Sequence, residues 1–466
     1  MPLYLETPFF TIYLSFWQWL FALPSGEFVR VVIGVGGWTV LALIFFSMGL
    51  QLWTLYRQNL ANKKWQWALL AVDIPPLLIQ SPKAVEQIFA HFSGALLMPN
   101  IGEKFWNGKK QKWFSLEIIS IEGYIQFLIR TEAEFRDLME AAIYAQYPEA
   151  EITEVEDYVE AVPARYPNSE YEMMGLEFKL ADKDAYPIRT YQNFEYSLSK
   201  DVVFSDPMAA ILENFSRLGR GEQLWFQIIL EPTDSRWKEK GIELVKKIVS
   251  GDDKFGGGEG ILSKFAGLPR ALAKMIIDVW DWNFEPSEKE AEPSKKVSDL
   301  TPGLKSTVEA VEDKISKIGF KCKIRTLYVA RKESYNPDKC LGGIVGSLNQ
   351  FNLLNRNGLV PSAKTSAPYA FKTSRTNFKK NVFMTAYKKR KIKTGANPYV
   401  MNIEEMATIW HFPLPFVKTP LVQKTATKRG EPPIGLPVES TEASLRPLSG
   451  VDQKRESQPL DNLPFA

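Results

Sequence analysis

The chain has 466 residues, with 57 Lys and Arg against 54 Asp and Glu, a length that exceeds one ordinary core and predicts two folded units with linkers. Apolar residues at 45% and charged residues at 24% exclude both a disordered chain and a polytopic membrane protein as the main description. The net charge of +3 is small, so any attraction to nucleic acid or anionic lipid must come from local clustering.

Phe9 to Leu23 is dense in aromatics and is bounded by Pro8 and Pro24. Its fifteen residues make about 22 Å of helix, which suits an interfacial helix better than a full span. It has no basic n-region and no small-residue cleavage site, so it does not read as a signal peptide. Residues 1–30 are therefore taken as an interfacial segment. Val31 to Trp53 follows with 23 residues and no charge. At about 1.5 Å per residue it covers roughly 35 Å, enough for a hydrocarbon core of about 30 Å with some tilt. Residues 31–56 are predicted to form a transmembrane helix. Trp38, Trp53 and Tyr56 are the amphipathic aromatics favoured at membrane interfaces. Arg57, Lys63 and Lys64 follow the segment and only Arg30 closely precedes it, so the positive-inside rule places the C-terminal body in the cytoplasm.

The body begins with a buried strand, Trp67 to Ile74, and a helical pattern opened by Ser81, with Val85, Ile88, Phe89 and Phe92 at three- and four-residue spacing. Trp113–Ile121 and Tyr124–Arg130 flank Glu122-Gly123 and read as a hairpin. A helix from Glu132 to Gln146 stops before Pro148, and Ile152 to Val155 forms a short strand. The order β-α-β-β-α-β is that of the split βαβ, ferredoxin-like unit. A second unit is predicted from strand Met173–Leu180, helix Pro207–Leu218, strand Gln223–Leu230, helix Ser235–Val249, helix Pro302–Ile318, strand Phe320–Ala330 and helix Asp338–Phe351. Residues 251–299, with Gly256 to Gly258 and a mixed-charge, Pro-bearing stretch, interrupt it as a flexible insertion. The fold class is thus α+β: a transmembrane helix, two ferredoxin-like units, and a Pro-, Ser- and Glu-rich tail over 425–466 that is expected to be disordered.

Catalytic patterns are sparse. GGGEGILSK at Gly256 to Lys264 lacks the GxxxxGK[ST] spacing of a phosphate loop, and His91 and His411, the two histidines, lie on separate predicted elements. Neither zinc nor His-based acid/base chemistry is supported by such a pattern, and Cys322 and Cys340 read as buried or semi-buried free thiols. No enzyme activity, cofactor or metal is expected. The one charge feature above background is Lys364 to Lys393, with ten basic residues, no acidic one, and Tyr369, Phe371, Phe378, Phe383 and Tyr387 interleaved. Within it Lys379, Lys380, Lys388, Lys389, Arg390 and Lys391 are candidates for an anion-binding patch. Such a patch could contact nucleic-acid phosphates while the aromatics stack on bases, or face the anionic inner leaflet or a partner protein; a solvated loop has the same composition.

Three segments carry a family resemblance: WALLAVDIPPLLIQSPKAVEQIFAHFSGA (Trp67 to Ala95), FSLEIISIEGYIQFLIRTEAEFRDLMEAAIYAQYPEAEITEVEDY (Phe114 to Tyr158) and NIEEMATIWHFPLPFVKTPLVQKTATKRGEPPIGLP (Asn402 to Pro437). They resemble a bacterial membrane family similar to the N-terminal, membrane-bearing part of type IV secretion or conjugation proteins, which precedes or accompanies a motor ATPase of the HerA/FtsK translocase class. The resemblance covers Trp67 to Pro437, apart from the insertion. The element pattern divides the body into units at 65–160 and 170–360, and the resemblance adds a basic family segment at 361–424. The resemblance implies a single-pass protein of the bacterial cytoplasmic membrane, a homo-oligomer, acting as an accessory or scaffold subunit of a type IV secretion-like or DNA-translocation machine. Its partners would be a separate translocation ATPase, the bilayer, and DNA or anionic lipid. The chain ends shortly after EPPIGLP, where a fused ATPase would begin, so nucleotide hydrolysis is not carried over. The alternative reading is a membrane-tethered nucleic-acid-binding protein without a secretion role.

Overall fold

A computed structural model describes residues 4–6, 11–13, 19, 22–75, 80–198, 201–204, 206–250, 300–367 and 371–413. The predicted flexible insertion at 251–299 and the predicted disordered tail lie outside the described residues, as does most of Phe9–Leu23. At residues 11–13 that aromatic segment is extended rather than helical. β1 (Tyr4–Glu6) and β2 (Thr11–Tyr13) pair antiparallel, with Tyr4 opposite Tyr13. Thr11, Ile12 and Tyr13 are β-branched or aromatic and favour extended backbone.

α1 (Ser25–Asn62) is 38 residues long and extends past the predicted span at both ends. Over Gly37–Asn62 it is long and apolar enough to cross a membrane. Leu43, Phe45 and Phe46 are exposed on it.

The body is α+β, built on a nine-stranded sheet whose described pairings are all antiparallel. Its first half comprises β3 (Trp67–Asp73), α2 (Pro82–Phe92), β4 (Phe114–Ile121), β5 (Tyr124–Glu132), α3 (Arg136–Gln146) and β6 (Glu151–Glu154), in sheet order β4-β5-β3-β6. Glu122 and Gly123 both adopt positive φ between β4 and β5, the backbone that a tight hairpin turn of this hand requires. After β7 (Tyr171–Leu180), β8 (Glu195–Leu198) and β9 (Asp201–Phe204) form a separate two-stranded ribbon. The second half continues through α4 (Met208–Ser216), β10 (Glu222–Pro232), α5 (Trp237–Ser250), α6 (Pro302–Ser316), β11 (Gly319–Arg331), α7 (Pro337–Asn349) and β12 (Leu359–Lys364), in sheet order β12-β7-β11-β10. The halves share an edge, because β10 pairs with β4 from Gln223 opposite Ile121 to Leu230 opposite Phe114.

The stretch beyond Pro361, which reads in the sequence as a basic segment without regular elements, holds α8 (Lys372–Lys388), β13 (Tyr399–Asn402) and α9 (Ile403–Ile409). β13 pairs with the start of β11. Ile403 to Phe412 are all buried.

Strand periodicity sends alternate residues to opposite faces. Leu116, Ile118, Phe127, Phe178, Phe226 and Ile324 join the core formed with α2, α3, α4, α7 and α9. The other face carries Leu69, Ile119, Leu128, Met173, Trp225 and Leu327, and packs against Val159, Val162, Met384 and Tyr387. The sheet is therefore buried on both sides. Such strands read as continuous apolar runs rather than alternating ones.

Candidate functional site

On the face covered by α8, four polar residues from adjacent strands lie side by side. Glu177 of β7 is opposite Arg325 of β11, Arg325 is opposite Gln227 of β10, and Gln227 is opposite Glu117 of β4. All four are buried. A charge in this position is tolerated only when paired and hydrogen-bonded; Glu117, Arg325 and Glu177 find partners in the chain that follows α8, and Gln227 donates to Glu117 and to the Tyr387 carbonyl within α8.

At the Glu117 end of the row the partner is Arg390. Its Nε donates to Glu117 Oε1 at 2.9 Å and its Nη2 to Glu117 Oε2 at 3.1 Å. Nη2 and Nη1 also donate to the Asp157 carboxylate at 2.8 and 2.5 Å. Glu117 further accepts hydrogen bonds from Ser115, from Tyr158 OH at 2.8 Å and from Gln227 Nε2 at 3.0 Å. Burial pushes the Glu117 carboxyl up, but the Arg390 guanidinium and these donors outweigh it and hold the group at about 2. Burial opposes the Arg390 charge, and the two carboxylates more than offset that, raising its pKa well above the ordinary value. Tyr158 and Tyr387, whose hydroxyls are 3.3 Å apart, are pushed well up by burial and then by Glu117.

At the other end of the row, Arg325 donates to Glu177 at 3.3 Å and to the carbonyls of Lys391 and Thr394 at 2.8 and 2.5 Å. Lys323 Nζ donates to Thr394 O at 2.7 Å and also reaches Ala396 O, while Ala396 N–H donates to Glu177 at 2.6 Å. Burial lowers Lys323 to about 8. The turn passes over Glu177 at Gly395, which has φ of 94° and would place a Cβ 2.3 Å from Glu177 Oε2. One row of side chains thereby pins the whole turn 389–396.

This placement corrects the reading of the basic stretch as one exposed patch. Arg390 is fully buried, because two carboxylates from the first half of the body require its charge. Lys380 pairs with Glu172 at 2.6 Å, Lys388 donates to Val162 O at 2.8 Å, and Lys379 reaches Ser366 O at 3.4 Å. Only Lys389 and Lys391 of the six candidates have side chains that are both exposed and outside the network. Phe371 and Phe378 are exposed near the start of α8 and on it, while Phe383 lies over Gly175, where a Cβ would sit 2.3 Å from its ring.

Glu117 and Glu177 each accept several hydrogen bonds and the hydroxyls of Ser115, Tyr158 and Tyr387 are engaged, so the row clamps the turn, while Gln227 Oε1 is buried without a hydrogen-bond partner among the described residues. Among the described residues no group of three His, Cys, Asp or Glu could hold a metal ion. His411 is buried, with Nε2 2.9 Å from Asp206 and Nδ1 2.8 Å from Ala407 O. Cys322 and Cys340 are free and buried, and burial pushes both thiols up, Cys340 to about 11. An open cleft of about 230 Å³ is lined by Thr190, Ser306, Glu309, Asp313, Arg356 and Glu404, and there the Ser306 hydroxyl accepts from Arg356 at 2.9 Å.

Residues 100–425 match the family described as a domain of unknown function, DUF8128, and the chain belongs to that family. No curated protein matches it. The matched span begins after α1 and takes in both halves of the sheet from β4 onward, the clamp and α9.

Proposed function

We propose that this chain is a membrane-anchored, non-catalytic scaffold whose sheet body, two ferredoxin-like units joined at their edges, is held at the cytoplasmic face of a bacterial membrane. The observation that carries the reading is α1, whose apolar side chains Leu41, Leu43, Ile44, Phe45 and Phe46 are exposed within Gly37–Asn62 and which leads within a few residues into β3. The ferredoxin-like reading rests on the repeated strand order, since β6-β3-β5-β4 and β12-β7-β11-β10 both place the first strand between the fourth and the third. Arg57, Lys63 and Lys64 after the apolar run support the orientation.

Such a body would serve a type IV secretion-like or DNA-translocation machine by docking a separate motor ATPase of the HerA/FtsK class, as the sequence resemblance implies. The test has two parts. Membranes from producing cells are extracted at alkaline pH, and a reporter fused after Ala466 is assayed on both sides; an extractable protein, or reporter activity outside the cytoplasm, refutes the anchored reading. Affinity purification from the same membranes should then retain a translocation ATPase, and an eluate without one refutes the docking role. A second reading, nucleic-acid binding along α8, is favoured by the exposed aromatics Phe371 and Phe378 toward its start and the exposed Lys389 and Lys391 past its end, stacking and phosphate-contacting groups along one helix and its flanks.

A further inference from the structure

Between α2 and β4 the chain makes a short excursion, LMPNIGEKFWNG, from Leu97 to Gly108. Its backbone is well determined by its own residues. Asn100 Oδ1 accepts from the Glu103 N–H at 2.8 Å and Glu103 Oε2 accepts from the Asn100 N–H at 3.2 Å, a reciprocal cap that opens the helical turn Glu103–Asn107. Lys109 closes on Glu103 at 2.5 Å.

The turn is also fastened to α1. Trp53 Nε1 donates to Phe105 O at 3.1 Å, and Arg57 Nε donates to Trp106 O at 2.7 Å. The rings of Trp53, Phe105 and Trp106 lie 5.0 to 6.3 Å apart. Gly108, at φ of 68°, lies so close to the helix that a Cβ there would be 2.3 Å from Arg57 O. The contact falls on residues 53 to 58, where the uncharged run that begins at Val31 ends at Tyr56 and the first cation stands at Arg57. That is the level at which a span anchored by α1 leaves the hydrocarbon.

A segment so firmly held nevertheless turns its large apolar side chains outward. Met98, Ile101 and Trp106 are 72, 78 and 61% exposed. Around them the two segments 54–66 and 97–111 carry six cations, Arg57, Lys63, Lys64, Lys104, Lys109 and Lys110, against the single carboxylate of Glu103. Lys110 stands 4.8 Å from the ring centre of Trp113 and 5.2 Å from that of Trp65. Apolar side chains and indole at the tip, with ammonium groups beside them, are the chemistry of an interfacial element on an anionic leaflet.

We infer that residues 97–108 are a second membrane-contacting element, in which Met98, Ile101 and Trp106 enter the boundary between headgroups and acyl chains beside α1 while the surrounding cations meet lipid phosphates. The inference rests on the anchored reading of α1, and it adds that the body is held to the bilayer at two points and so in one orientation.

The test uses the full chain in vesicles of phosphatidylcholine and phosphatidylglycerol in equal parts. An environment-sensitive fluorophore is attached at Ile101→Cys, at Leu43→Cys in α1 and, as a water-exposed reference, at Leu354→Cys; the buried Cys322 and Cys340 are left in place. The expected result is that chain-brominated lipid quenches position 101 severalfold more than position 354, and less deeply than position 43. If position 43 is quenched by brominated lipid while position 101 behaves as position 354 does, with aqueous iodide reaching both, the interfacial element is refuted and the anchor stands. If positions 43 and 101 are both reached by iodide alone, the anchored reading falls and this inference falls with it.

Discussion

Replacing Arg390 with Met tests the clamp at its centre. The substitution keeps an unbranched stem of similar reach and removes the guanidinium that holds Glu117 at 2.9 and 3.1 Å. Glu117 and Arg390 are both fully shielded from solvent, so the remaining carboxylate would keep only Ser115, Tyr158 and Gln227 as donors. Removing one partner of a buried pair costs about 3–5 kcal/mol, because the other charge is left uncompensated. Asp157, whose side chain is 31% exposed, can recover water and adds little. In Glu117→Gln the row keeps its amide and hydroxyl contacts while Arg390 keeps Asp157, and the loss is about 1.5–3 kcal/mol, the worth of hydrogen bonds to a charged group. Combining the two removes both charges, so the double variant should be more stable than the sum of the single losses by roughly 2 kcal/mol, within the range seen for residues in one network. Denaturant unfolding of the full chain in detergent, followed by near-ultraviolet circular dichroism, reads this directly, because Trp225 meets Tyr158 edge to face, ring centres 4.7 Å apart, beside the pair. Additivity within about 0.5 kcal/mol, or a loss below about 1 kcal/mol for Arg390→Met, would refute the reasoning.

The same pair sets an acid response. Glu117 is depressed to about 2 in the folded chain, against an ordinary carboxylate value of about 4.3 when unfolded, so its contribution is complete above about pH 5 and is lost as pH falls toward 2; the stability gap between the native chain and Glu117→Gln should narrow over that window, and a constant gap refutes the assignment. Gly175→Ala places a Cβ 2.3 Å from the Phe383 ring. Overpacking of that kind costs about 1–3 kcal/mol, and thermal unfolding should show Phe383→Leu restoring part of it; no rescue would mean that α8 is not seated by that contact. Replacing Lys389 and Lys391 with Ser should leave the melting temperature unchanged, whereas Arg390→Ser should lower it. If α8 binds nucleic acid, removing the exposed pair should also flatten the slope of log affinity against log salt by about 0.9 for each duplex phosphate no longer neutralised, and an unchanged slope removes these two lysines from the interface.

The parts of the fold that are legible in the sequence are those fixed by local physics. The uncharged run Val31–Trp53 lies inside α1, and the pair of apolar runs about Glu122-Gly123 is the β4–β5 hairpin. What stays hidden depends on partners far along the chain. β4 and β10 are apolar on both faces because both faces are covered, so no alternation in FSLEIISI or LWFQIIL says which strand lies beside which. The clamp does have a signal in the sequence: Glu117, Gln227 and Arg325 are polar or charged residues in the middle of otherwise apolar strands, a position that demands a buried partner. Arg390 is legible as a cation but not as a buried one, since five basic residues within Lys388–Lys393 look alike until the fold chooses which faces the carboxylates. α9 escapes a sequence reading because its seven residues are too short for a helical period to show, and its cap is tertiary in purpose: Glu405 receives the Asn402 N–H and also pairs with the buried Lys314 at 3.0 Å.

The segment after β12 has a mechanical role that follows from what it touches. Within the sheet, the two halves are joined by the β10–β4 backbone ladder and the Gln227–Glu117 hydrogen bond across it, and a single ladder resists separation better than it resists twist. Side chains and backbone after β12 cross this junction repeatedly. Arg390 binds Glu117 and Asp157 in the first half, while the carbonyls of Lys391 and Thr394 that follow it are held by Arg325 in the second. β13 then adds to β11, and Trp410 at the end of α9 returns to the first half, packing on Phe89 and Phe127 with ring centres 6.1 and 5.9 Å away. Each attachment is short in range and buried, and the sequence of attachments alternates between the halves, so twisting one half against the other must break an ion pair or open a packed aromatic contact. A body stiffened in this way transmits orientation from one end to the other. If α1 anchors the protein as proposed, together with the turn that α1 grips at Phe105 and Trp106, the stiffened body would hold β7 and β12 in a set relation to the bilayer, the property that the proposed docking of a separate motor would require.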